Sequence, residues 1–304
     1  MKKFTPITLS ITIALFTSLV FIGCKKETSE TLTAAQEEEA ATFSTESETE
    51  SELVFDDVFD NVMGVNNDVG IAGTGVFGRI GTSGRQLNPD SLRCFDVTIT
   101  KLNAPEPFPV KIVLDFGNGC LGKDGHMRYG KIITEYTGRL IVPGKSATTI
   151  FDGFKIGNIS VQGTHKVTNS SSSNLAQYTV DVTEAKLSRP NGNYSLWTSH
   201  RIITQIEGNG TPSIHLDDIF TIEGSAHGRV KRGDLIYAWQ SEIAEALRKK
   251  FICRWISKGI IKVRRETLPS TSPWIASLNY GNGDCDHFAT LTINGASRLI
   301  ELPH

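Results

Sequence analysis

The polar and apolar positions of this chain change their period twice. Between Ile7 and Ile22 an apolar run diluted by Ser and Thr follows Lys2 and Lys3 and stops at Gly23-Cys24. From there to about residue 50, Ser, Thr and Glu dominate, with Glu37-Glu38-Glu39 and the stretch from Ser44 to Ser51 as the most polar parts. Leu53, Val54, Val58, Phe59, Val62 and Met63 then recur at the spacing of a helix with one buried stripe. This predicts a short amphipathic helix over residues 51–70.

Beyond it the period falls to two. Phe95, Val97 and Ile99 alternate with Asp96, Thr98 and Thr100, and Val110, Ile112, Leu114 and Phe116 alternate with Lys111 and Asp115. Tyr178, Val180 and Val182 do the same with Thr179, Asp181 and Thr183, and Ile132, Tyr136 and Leu140 mark a longer run. Successive strand side chains point to opposite faces, so each run predicts a strand with one dry and one wet side. Turn signals at Pro143-Gly144, 169–174, Pro190-Asn191-Gly192 and Gly208-Asn209-Gly210 separate the runs. Short polar turns favour antiparallel meanders over βαβ units. The expected fold is all-β, antiparallel meander sheets forming a sandwich or a strongly curved sheet, with the β domain over 71–304. One segment conflicts. Ile243, Leu247 and Phe251 lie four apart, with Glu245 and Lys249 as a supporting pair, so 242–251 reads locally as a helix, a preference that long strands on either side could still override.

Charge changes the picture at the N-terminus. The formal net charge is −2, yet from Lys25 to Asp60 acids exceed bases by ten, and beyond Asp60 bases exceed acids by six. So thin a basic excess is no footprint for nucleic acid. No apolar run of about 18 residues follows residue 23, which excludes a polytopic helical membrane protein. Residues 1–23 have the charged, apolar, small layout of a secretory signal. Phe21-Ile22-Gly23-Cys24 resembles a bacterial lipobox, which implies that Cys24 is lipidated and holds the chain on a membrane, each buried methylene contributing ~0.8 kcal/mol. Residues 24–50 are expected to be a disordered acidic tether, because they bury too little apolar surface to offset chain entropy. Lysines followed by acids just behind Cys24 resemble the surface-export signal of Bacteroidota lipoproteins.

Four further cysteines, Cys94, Cys120, Cys253 and Cys285, suit disulfides in an exported chain. Leu114-Asp115-Phe116-Gly117-Asn118-Gly119-Cys120 recurs as Leu278-Asn279-Tyr280-Gly281-Asn282-Gly283-Asp284-Cys285, and each copy follows a strand, a proline-bearing loop and a strand that starts at a Cys. Both cysteine pairs are symmetric about that loop. The simplest geometry is two hairpins, 94–120 and 253–285, each closed at its open end by a disulfide. The rival pairing joins the copies, Cys94 with Cys253 and Cys120 with Cys285. A zinc site of four thiolates lacks a C-x-x-C clamp.

The repeat, with Gly122-Lys123-Asp124-Gly125, Gly130-Lys131-Ile132-Ile133, Cys253-Arg254-Trp255-Ile256 and the run from Ala289 to Gly295, resembles a group of uncharacterised Bacteroidota outer-membrane lipoproteins. The likeness covers most of the chain after Phe55. It implies membrane-anchored β architecture and continued strand before Cys253, and it brings no activity or catalytic residues with it.

Motifs for catalysis are weak. Gly73-Thr74-Gly75-Val76-Phe77-Gly78 fits G-x-G-x-x-G but lacks the strand before and the helix after that a dinucleotide site needs. Gly144-Lys145-Ser146 fails as a P-loop, because Arg139 stands where its first glycine must fall. Seven histidines are scattered, and no H-E-x-x-H or G-x-S-x-G occurs. Asn282, Asp284 and Asp286 are the best metal candidate, as alternate oxygen ligands on a Gly-rich turn suited to Ca²⁺, against the alternative that they serve the turn itself. His215, Asp217, Asp218 and Asp152 offer carboxylates of the kind a glycosidase uses. Trp197, Trp239, Trp255 and Trp274 offer a stacking platform for sugars, or core. These observations point to a lipid-anchored envelope protein on the periplasmic face or the cell surface, noncatalytic, with no cofactor, that binds or scaffolds an envelope partner. The alternative is a glycan-binding or glycan-hydrolysing surface protein.

Overall fold

A computed structural model of the chain describes residues 33–63, 94–122, 125–173, 175–209, 217–266 and 275–302. Within them the first element is a long helix, α1 (Ala34–Met63). Its start is set by a reciprocal cap: the Thr33 N–H donates to Gln36 Oε1 at 3.0 Å, and the Gln36 N–H donates to Thr33 Oγ1 at 3.3 Å. Ala40, Ser44, Ser47 and Ser51, followed by Val54, Val58 and Val62, form one buried stripe at three- and four-residue spacing. At the other end the Tyr136 hydroxyl donates to the Val62 carbonyl at 3.0 Å, satisfying one of the orphan acceptors of the last turn.

This corrects the expected boundaries. The helix begins at Ala34 rather than 51, so 34–50 is not tether, and Glu48 is fully buried. The reason is tertiary. Its carboxylates find partners such as Arg189 and Arg201, more than 130 residues further along the chain, which local composition cannot reveal. Residues 64–70 and the Gly73–Gly78 motif lie outside the described residues.

The rest is antiparallel sheet: β1 (Asp96–Lys101), β2 (Val110–Asp115), β3 (Cys120–Leu121), β4 (Met127–Tyr136), β5 (Ser146–Ile156), β6 (Ile159–Asn169), β7 (Gln177–Ser188), β8 (Tyr194–Glu207), β9 (Ile219–Arg232), β10 (Leu235–Lys250), β11 (Lys258–Arg265), β12 (Ala276–Asn282), β13 (Phe288–Ile293) and β14 (Ala296–Glu301). Neighbours in sequence are neighbours in space, so the strands form a single meander, with β1 and β14 at its edges and β3 paired to β4 beside the main path. The sheet is not closed into a barrel. It curls around α1, which side chains from β4 through to β14 contact; Arg298 of β14 reaches Thr42 Oγ1 at 3.1 Å. From Ser47 to Met63 nearly every helix residue is buried or half-buried. The lengths match: thirty helical residues span about 45 Å and the sixteen of β10 about 53 Å.

Curvature comes from bulges along the sheet. At Gly163, φ is +122° and a Cβ would stand 2.7 Å from Ala185 Cα, so only glycine lets β6 close on β7 where their register slips. The expected helix at 242–251 is likewise a bulge. Between Glu242 and Leu247, β10 advances five residues while β9 advances three, and inward alternation resumes at Leu247 and Lys249. Pairing on both sides overrides the local helical spacing.

The two disulfides are Cys94–Cys120 and Cys253–Cys285, with Cα separations of 5.2 and 5.7 Å. Each lies at the open end of its hairpin, β1–β2 or β11–β12, and the two lie at opposite ends of the sheet. The end that carries Cys94–Cys120 is also where α1 starts, since Glu37 pairs with Arg265 at the end of β11. We call it the entry end.

Candidate functional site

α1 carries ten acids and no base; Glu38, Glu39 and Glu46 are exposed, while Glu37, Glu48, Glu50, Glu52, Asp56, Asp57 and Asp60 are buried or half-buried inside the curl. The sheet answers with cations on inward positions. Arg201 of β8 bonds Glu48 Oε1 at 2.9 Å and Glu52 Oε2 at 2.7 Å, and its guanidinium lies 5.7 Å from the Trp197 ring. Glu48 also accepts from Trp197 Nε1 at 2.8 Å and Ser241 Oγ at 2.9 Å. Burial pushes the Glu48 carboxyl above its usual range despite Arg201. Lys249 of β10 stands 3.6 Å from Asp56 and 3.7 Å from Asp60, and Arg128 stands 3.4 Å from Asp57. Burial pushes Asp60 up to about 7 and Asp56 to about 6, against the pull of Lys249. Two voids of about 20 Å³, each with room for one water, border Glu52 and Asp56. The channel is thus filled by its own helix, and these titratable groups are engaged with one another.

At the entry end the sheet opens into a cavity of about 760 Å³. Its polar walls come from the starts and ends of β2 to β7: Asn118, Tyr129, Lys155, Asn158, Ser188 and Arg189. Gly117, Gly153 and Gly157 also line it, and a Cβ at any of them would meet nothing within 4 Å. Arg189 is shared with the helix, its Nη2 pairing with Glu50 Oε1, while Nη1 is buried without a partner among the described residues. The side chains of Tyr129, Asn118, Asn158 and Lys155 likewise make no hydrogen bond or ion pair among the described residues. Among the described residues no carboxylate and no imidazole is in the lining.

The residues singled out from sequence do not converge. Asp218 is buried, accepting from Gln205 Nε2 at 2.7 Å, whereas Asp152 is exposed on β5. Asp218 immediately precedes β9, four strand spacings or about 19 Å from β5 along the sheet, beyond the separation glycosidase carboxylates need. Asp217 is exposed beside Asp218, and His215 and Trp274 lie outside the described residues. Trp197 and Trp239 are core, and Trp255 is half-buried against His287, so they form no exposed platform. Around the metal candidate, Asp286 Oδ1 accepts from the Phe288 N–H at 2.9 Å, and Lys250 Nζ donates to the Gly283 carbonyl at 2.6 Å. An ammonium thus sits where a cation would seek that carbonyl. The described residues hold no cluster of three or more His, Cys, Asp or Glu arranged for a metal. Cys24 lies outside the described residues.

Sequence reasoning missed two features. The entry-end cavity is assembled from residues of β4 to β7 and of the turns after β2, β5 and β7, and has no linear signal. Asp181, His200 and Ser225 align across β7, β8 and β9, with His200 Nδ1 2.7 Å from Asp181 Oδ1. This row stands on the convex face with 57% and 40% of the His200 and Asp181 side chains exposed, so nothing excludes water from it. No family profile, curated protein or solved structure matches this chain.

Proposed function

We propose that this chain is a lipid-anchored, noncatalytic binding module of the bacterial envelope, anchored through Cys24, with its ligand site in the entry-end cavity. The observation that carries the reading is the make-up of that cavity: Tyr129, Asn118, Asn158 and Lys155 without side-chain partners among the described residues, Arg189 shared with Glu50, and no carboxylate or imidazole among the described lining residues to move a proton. Such a lining suits recognition rather than hydrolysis. The inward acids cannot supply the chemistry, because α1 holds them in ion pairs with Arg201, Lys249 and Arg128.

The early start of α1 supports a short leash. With Cys24 lipidated, Ala34 lies ten positions beyond the anchor, a span that fully extended reaches at most about 35 Å. The entry end would then be held toward the bilayer surface. No helix among the described residues is long and apolar enough to cross a membrane, so the anchor would be the acyl chains. The test is metabolic labelling with radioactive palmitate in a Gram-negative host. Label lost in Cys24→Ala, with the wild-type chain in the membrane fraction, is expected; an unlabelled wild-type chain would refute the anchor. Turnover of a glycan or ester panel that Asp217→Asn or Asp218→Asn abolishes would refute the noncatalytic reading.

A further inference from the structure

The cavity's chemistry narrows its ligand, and this inference rests on the binding-module reading above. Among the described residues the charged groups of the lining are Lys155 and Arg189; Glu50 meets Arg189 from the helix side, and Asp115, whose Oδ1 accepts from the Gly117 N–H at 3.0 Å, is paired with Lys131. Arg189 Nη1 is a buried donor without a partner among the described residues, and a turn of the guanidinium toward the cavity would let an anionic oxygen satisfy it. The amides of Asn118 and Asn158 can each donate and accept, as a run of hydroxyls requires, and Tyr129 adds an aromatic ring with a polar tip. Glycines at 117, 153 and 157 leave the floor free of side chains, so a ring-sized ligand can approach the backbone.

We propose that the entry-end cavity binds a saccharide carrying a phosphate or carboxylate, with Lys155 and Arg189 holding the anion, Asn118 and Asn158 the hydroxyls, and Tyr129 one sugar face. Two sources share this chemistry: the phosphorylated sugar headgroup of a glycolipid and a free uronic-acid glycan. The leash favours the headgroup, because α1 emerges at the same end of the sheet as the cavity.

The test uses the full chain carrying Cys24→Ser, so that acylation cannot mediate binding. The probes are phosphatidylcholine vesicles with and without 10 mol% of a bisphosphorylated glucosamine-disaccharide lipid, a soluble oligogalacturonate, and neutral cellotetraose. Vesicle flotation and titration calorimetry are expected to show binding to the phosphorylated vesicles at least tenfold tighter than to plain vesicles or cellotetraose. Lys155→Glu, at an exposed position with no partner among the described residues, is expected to weaken binding tenfold or more with unchanged circular dichroism. Tyr129→Leu is expected to weaken it less. Oligogalacturonate bound in preference to the vesicles would keep the site and assign it to free glycans. Binding indifferent to Lys155→Glu and Tyr129→Leu, equal affinity for the neutral sugar, or no binding to any probe overturns the inference. None of these outcomes bears on palmitate labelling of Cys24, so failure of the cavity and failure of the anchor are separable.

Discussion

Arg201→Met tests whether α1 is held by charge. The substitution keeps the inward stem and removes three hydrogen bonds, Nε to Glu52 at 3.4 Å and Nη2 to Glu48 and Glu52 at 2.9 and 2.7 Å. Glu48 and Glu52 then stay buried without a counter-charge. Breaking a buried pair in this way costs about 3–5 kcal/mol. Protonation limits the cost. A glutamate of ordinary value 4.5 can be held neutral at pH 7 for roughly 3 kcal/mol, from 1.36 kcal/mol per unit over about 2.5 units. At pH 4.5 that limit falls toward zero. The sign follows: the Glu48 carboxyl, already raised by burial, is raised further once Arg201 is gone, so the variant's deficit is small at pH 4.5 and grows as pH rises. Urea unfolding followed by tryptophan fluorescence, with Trp197 against Glu48 as reporter, should give a loss of about 3–5 kcal/mol at pH 7 and about 1–2 kcal/mol at pH 4.5. Adding Glu48→Gln and Glu52→Gln should recover most of the loss at pH 7. A deficit below about 1 kcal/mol at pH 7, or one that does not shrink in acid, would refute the seating of the helix described above.

Three further outcomes are expected. Burial raises Asp60 to about 7 beside Lys249, Asp56 and Asp57, so its contribution to stability is complete below its ordinary value of 3.8 and is lost as pH rises through 7; Asp60→Asn should flatten the fall in melting temperature between pH 5 and 8. His165 is fully buried, stacked on Phe55 with both ring nitrogens unpartnered, and pushed down to about 3. Its contribution is present above 6.5 and lost as pH falls toward 3, so His165→Phe should gain stability over wild type as pH drops from 7 to 5, read as the difference in melting temperature. Gly163→Val should lower the melting temperature by the equivalent of roughly 1–3 kcal/mol, because it combines φ of +122° with a 2.7 Å approach to Ala185; a neutral effect by calorimetry would show that the bulge yields.

Strand periodicity made most of the sheet legible. Tyr178, Val180 and Val182 alternate with polar neighbours because one face of β7 meets the helix and the other meets water, and the period survives any number of strands. The disulfide hairpins were legible because the repeat and the proline-bearing loops are local. What was not legible depends on partners distant in sequence. Composition marks 34–50 as solvated, yet Thr33-x-x-Gln36 is a capping box, and Ala40, Ser44, Ser47 and Ser51 continue the stripe of Val54, Val58 and Val62 without a break. A search for helical spacing among small residues as well as large ones would have found the start. The counter-charges on β4, β8 and β10 were beyond such a search, as was the cavity.

The filling of the channel bears on where a ligand can act. A curled sheet of this length needs something in its concavity, and an apolar helix would supply adhesion with little register. Here the lower half of α1 does supply it, Phe59 meeting Tyr178, Phe220 and Phe251, while the upper half replaces side-chain bulk with Ser and charge. Each ion pair couples one helix turn to one strand: Glu48 and Glu52 to β8, Asp56 and Asp60 to β10, Asp57 to β4. Glu48, Glu52, Asp56 and Asp60 recur every four residues, so a slide of one turn would keep an acid against Arg201 and Lys249 and would part only Asp57 from Arg128; the series fixes which face of α1 meets the sheet, and the Asp57 pair marks its height, even where their net contribution to stability is small. Arg189 is the point where that locked interior reaches the entry-end cavity, because its guanidinium holds Glu50 while the residue lines the cavity. An anion drawn to that guanidinium competes with Glu50 for the same cation, so ligand binding and the seating of α1 are linked through a single side chain. Glu50→Gln should therefore tighten anion binding measurably while loosening the helix, a pairing of effects that a cavity independent of α1 would not produce.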